Sequence, residues 1–153
     1  SLETGGTVKF DLKAYDEGLH VALTGARNQR TLDNFSRAAS RFVEQPEPAL
    51  LVTNALLVPS YVTPDEVGRI TRIIDDVNPH TPYALLGFAP QFLFPDLPRT
   101  SVRHAEEAEA AARKSDFERT EVAKEITGVE KEFPTSKQAR DWIRDNGRKI
   151  GIR

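Results

Sequence analysis

The sequence predicts an α/β fold with a parallel sheet. Strand-length apolar runs alternate with segments of helical period, which is the pattern of strands linked by right-handed helical crossovers. Prolines and glycines stand at the joints between them. The chain has 153 residues, enough to bury a sizeable core.

Each element has its own signal. In "TVKFDLKAYDE", Val8, Phe10 and Leu12 alternate with Lys9, Asp11 and Lys13, so a strand with one apolar and one polar face is expected. Gly5-Gly6 before it reads as the turn that ends a preceding helix. Asn28 reads as a helix N-cap, and Leu32, Phe35, Ala38, Ala39, Phe42 and Val43 then recur at helical spacing up to Pro46 and Pro48. Ala49 to Val58 is nearly continuous apolar sequence and predicts a strand buried on both faces. Thr63-Pro64-Asp65-Glu66 is a cap, a first-turn proline and an acidic first turn. Val67, Ile70, Ile73, Ile74 and Val77 supply the stripe of the helix that follows. Tyr83 to Phe88 is a third short strand, and Ser101 to Lys114 is an Ala- and Glu-rich helix.

The composition shifts near Lys114, so two regions are expected: a body over residues 1–115 and a charged helical tail over 116–153. Residues 103–132 carry nine acidic and six basic side chains, whereas 134–153 carry six basic and two acidic. The tail, with Trp142 on a small apolar face, could bind nucleic acid or a protein partner. A solvated terminal helix is the plainer reading, because aspartates intersperse the basic residues.

Composition also excludes much. Net charge is −2, which gives no bulk attraction for nucleic acid or acidic membranes. No apolar run of membrane-spanning length and no secretory leader pattern occurs, so a cytoplasmic location is the default expectation. Cys is 0, which excludes disulfides and thiolate-held metal or iron–sulfur clusters within the chain. Met is also 0 and the sequence opens at Ser1, which suggests a processed form or a piece of a longer protein, with simple removal of the initiator Met as the plainer alternative. His20, His80 and His104 lie on separate segments and do not build a zinc site; His104 with Glu107 reads as a solvated helix pair. "FAPQFLFPDLP" reads either as an aromatic loop for a partner or as a cover for one end of the sheet.

Ligands of parallel α/β folds bind at the carboxyl ends of the strands. Asp11 and Lys13 fall at such an end and on one side of the strand. One charge of each sign can accept from and donate to a zwitterionic or polyhydroxyl ligand; an ion pair or a solvated strand end is the alternative.

These residues sit in a longer pattern: Asp11-Leu12-Lys13, Leu23-Thr24-Gly25, Asn28, Arg30-Thr31-Leu32, Leu57-Val58-Pro59 with Tyr61, and Leu86-Gly87-Phe88. In this order the pattern resembles the radical S-adenosylmethionine (radical SAM) superfamily, in particular activating enzymes of the pyruvate formate-lyase type and AmmeMemoRadiSam-type proteins. The resemblance implies a partial (βα) barrel, about the last three units of a (βα)6 barrel, spanning roughly residues 1 to 114. It implies a parent in which a [4Fe–4S] cluster reduces S-adenosylmethionine to give a 5′-deoxyadenosyl radical. Asp11 and Lys13 would line the S-adenosylmethionine site. Asn54, on the middle strand where activating enzymes often carry an Arg, joins them as a cofactor-binding residue, while Lys9 is structural. Possible partners are a protein substrate or the missing amino-terminal half. Departures are plain: no cysteine is available for the cluster motif, Ala89 replaces a frequent His, and Ser60 stands where Gly is usual. Without a cluster the chain alone is expected to be catalytically inert.

Overall fold

The computed structural model describes residues 6–41, 49–90 and 94–114. The tail and the expected boundary at 115 lie outside these residues, as do Gly5, Phe42, Val43 and Phe92. The described chain is a small α/β fold with the order β1 (Val8–Asp11), α1 (Glu17–Thr24), α2 (Gln29–Ala39), β2 (Leu51–Leu57), α3 (Pro64–Val77), β3 (Tyr83–Gly87) and α4 (Val102–Arg113).

Among the described residues the sheet is three-stranded and parallel, in the order β1-β2-β3. Its register pairs Asp11 with Asn54 and Asn54 with Ala84, so these three residues form one row across the sheet. Sequential strands joined by right-handed crossovers place their helices on one face. The burial pattern agrees. Leu12, Leu51, Ala55, Leu57, Tyr83 and Leu85 share one core with Phe35 and Ala39 of α2, Val67, Ile70 and Ile74 of α3, and Ala105, Ala108 and Ala112 of α4. On the other face Val52, Leu56, Ala84 and Leu86 are only half-buried.

Local chemistry explains most element ends. Thr63 caps α3, its hydroxyl accepting from the Glu66 amide, with Pro64 in the first turn as expected. Ser101 caps α4 through the His104 amide.

Three expectations are modified. Helix α1 was not anticipated; Asp16 caps it by accepting from Leu19 N at 2.7 Å, and Gly25 stops it at φ 74°, in the left-handed region. Asn28 does precede α2, but its side chain makes no capping bond. Strand β1 is short, and Val8, expected on the buried face, remains 41% exposed at the amino end of an edge strand.

Candidate cofactor-binding site

The turn that leaves β1 is held by side chains from two other elements. Asn28 is buried and donates through Nδ2 to the carbonyls of Ala14 (3.2 Å) and Tyr15 (2.6 Å). Its backbone, at φ −84° and ψ −20°, is helical rather than in the extended conformation from which a side-chain oxygen caps a helix. From the opposite direction Glu66, 5% exposed in the first turn of α3, accepts from the Tyr15 amide and from the Asp16 amide at 2.8 Å. The Arg69 guanidinium lies 5.9 Å from the centre of the Tyr15 ring. Backbone donors and acceptors of one loop are thus satisfied by fixed side chains, which makes the loop a rigid rim at the carboxyl end of the sheet.

Asp11 and Lys13 are at this rim. They share a side of the strand, and the Lys13 ammonium is 3.1 Å from the Asp11 carboxylate. The Asp11 side chain is 44% exposed and that of Lys13 33% exposed. Burial pushes the Asp11 carboxyl up. The hydrogen bond and charge of Lys13, the Asn54 side chain and the more distant Lys9 charge outweigh it and hold the group below its ordinary value. Lys9 is exposed and acts on Asp11 only through its field.

Asn54 closes the row. It is 3% exposed, and its Oδ1 is buried with no hydrogen-bond partner among the described residues. Since the amide acts on Asp11 as a donor, the oxygen is the end left over. An unsatisfied buried acceptor costs on the order of 1–3 kcal/mol, and such atoms are rare in native structures. A ligand offering an N–H or O–H at this row would remove the penalty.

The other two strand ends are also built firmly. Ser60 adopts φ 67°, the left-handed region that favours glycine. Thr100 is buried, donates to Leu57 O at 2.6 Å and accepts from Phe88 N at 2.6 Å, so one hydroxyl ties the ends of β2 and β3 together. Of the aromatic loop, Phe94 is half-buried and meets Tyr61 edge-on at 6.2 Å, which favours a covering role for that residue. Two histidines are engaged with backbone: His20 Nδ1 with Ala26 O at 2.7 Å, and His104 Nε2 with Val62 O at 2.8 Å. Glu107 pairs with Arg103 at 2.8 Å rather than with His104.

Sequence reasoning brought Asp11, Lys13 and Asn54 to attention, and the sheet puts them in adjacent positions. It missed Glu66 and the true task of Asn28. Glu66 had a visible signal, an acid in a first turn; its partner loop, 50 residues away, had none.

The fold and this rim define a small α/β protein with charged and polar groups at the carboxyl ends of parallel strands. No family model matches the chain. Over 81 residues, 53% of its length, the chain is 32% identical to a protein of Methanocaldococcus jannaschii provisionally named a glycyl-radical enzyme activating enzyme. The match covers 30% of that protein, so the chain spans under a third of the relative's length. Among the described residues, no helix is long and apolar enough to cross a membrane.

Proposed function

We propose that this chain is the carboxyl part of a radical SAM protein related to glycyl-radical activating enzymes, and that it forms part of a (βα) barrel whose remaining strands cover the half-buried sheet face. The observation that carries the reading is the Asp11–Lys13–Asn54 row with its orphaned acceptor, in a chain that is similar to such an activating enzyme.

The donor set suits S-adenosylmethionine, which when bound supplies a sulfonium group open to reductive cleavage. Lys13 donates to its carboxylate or ribose oxygens. Asp11 orients the ammonium and accepts from the ligand's donors. Asn54 Oδ1 accepts a hydroxyl or amine proton. A [4Fe–4S] cluster does not fit this chain, because the sequence contains 0 cysteines to ligate it. Cluster chemistry therefore belongs to the rest of the parent protein, and the chain alone is a binding wall without turnover.

The test uses the complete protein encoded by the source gene. Three cysteines spaced by three and two residues are expected upstream of Ser1. Equilibrium dialysis with labelled S-adenosylmethionine is expected to show saturable binding, weakened about tenfold or more by Asp11→Ala or Lys13→Ala. A parent without that cysteine motif, or binding indifferent to both substitutions, would refute the reading.

A further inference from the structure

We infer that the outer surface of α2 carries a docking groove for an acidic peptide segment of a protein partner. The groove is a shallow, open depression lined by Arg27, Gln29, Arg30, Asp33, Asn34 and Arg37, together with Ser36. It lies on a helix surface away from the Asp11–Lys13–Asn54 row and is independent of the proposed cofactor role.

Charge distribution singles this surface out. Residues 27–41 hold four arginines (Arg27, Arg30, Arg37 and Arg41) and one acid, Asp33, a net of +3. The remaining described residues carry eight basic and eleven acidic side chains, a net of −3. A positive patch on an otherwise acidic body steers acidic partners to one place.

Internal partners do not consume the patch. Asp33 accepts from Gln29 at 2.8 Å, and Arg37 is held by Asn34 at 3.0 Å, so its guanidinium is oriented but not neutralised. Arg27 meets Glu17 at 3.4 Å while remaining 82% exposed. Arg30 is exposed and makes no hydrogen bond or ion pair among the described residues. Guanidinium groups bind carboxylates through paired N–H donors, and that geometry selects carboxylate or phosphate ligands.

The size of the occupant follows from spacing. Arg30 and Arg37 are seven residues apart on one helix, about 10.5 Å of rise. One carboxylate cannot bridge that distance, whereas an extended peptide covers it in about three residues. A nucleic acid strand is disfavoured. The groove lining has no aromatic ring for base stacking, contains a carboxylate, and offers fewer cations than phosphate tracking uses.

The experiment is fluorescence anisotropy with the full chain and a labelled peptide of about eight residues bearing alternate glutamates, beside the same peptide with glutamines and an oligothymidine of similar length. Saturable binding of the glutamate peptide is expected, about tenfold or more weaker in the double variant Arg30→Glu/Arg37→Glu, weaker at high salt, and unchanged in Arg103→Glu on α4. If circular dichroism shows that charge reversal unfolds the chain, Arg30→Gln/Arg37→Gln carries the same criterion. Equal binding of the glutamine peptide, indifference to both double variants, or tighter binding of oligothymidine would overturn the inference.

Discussion

Asp11 shows how one residue carries both a local energy and a candidate role. Its carboxyl is held below the ordinary value, so folding favours the ionised form. A lowered native value adds stability above the unfolded pKa, near 3.9, and that stability is lost as pH falls through the native value. In denaturant titrations, Asp11→Asn is expected to be less stable than wild type at pH 7, with the gap closing below about pH 4. Because both groups of the ion pair are partly exposed, the gap should also shrink in high salt. Glu66 makes the opposite case, a buried carboxylate spent on backbone. Glu66→Ala leaves the Tyr15 and Asp16 amides without their acceptor and is expected to cost about 2–3 kcal/mol, read from the denaturant midpoint.

At the scale of elements, α3 and α4 show how small residues set distance. Ala105, Ala108 and Ala112 recur on the buried side of α4, and a side chain added at Gly68 of α3 would meet the Ala111 carbonyl at 3.9 Å. The two helices therefore approach closely over an alanine ridge. Ala108→Leu forces extra methylenes into this seam and is expected to destabilise by about 1–3 kcal/mol, measurable as a lower Tm. The sequence made α3 and α4 legible, because capping residues and apolar periodicity are local. It did not reveal α1, although Asp16 and Gly25 are the signals of its two ends. Eight residues with an exposed Val21 and Ala22 present little amphipathic stripe, so periodicity was silent there. Asn28 has the residue type of a cap, but its backbone is helical and its Nδ2 is spent on the Ala14 and Tyr15 carbonyls of a distant turn, which no local pattern shows.

For the whole molecule, the unequal faces of the sheet are the main feature. Leu85 points to the helix-covered core at 5% exposure, while its neighbour Leu86 is half-buried on the other face. Leu85→Lys is expected to abolish cooperative folding, since an unpaired charge would enter the core. Leu86→Lys should fold with a Tm change of only a few degrees and should reduce concentration-dependent self-association, read by sedimentation velocity. The reverse ranking would mean that the face carrying Leu86 is a closed core. The same asymmetry gives the candidate site its setting, because the Asp11–Lys13 pair and Asn54 belong to the less covered face.

The sequence by itself determined the α/β class, the parallel alternation, the ends of α3 and α4, and the choice of Asp11 and Lys13 as candidates. Those properties arise from period, capping chemistry and strand alternation, all of which act over a few residues. Only the tertiary structure decided that Asn54 lies beside Asp11 with an orphaned oxygen, that Glu66 and Asn28 hold the β1–α1 turn, and that Arg27, Arg30 and Arg37 line one surface. Strand register and helix docking bring together residues tens of positions apart, and no local rule encodes which of them will meet.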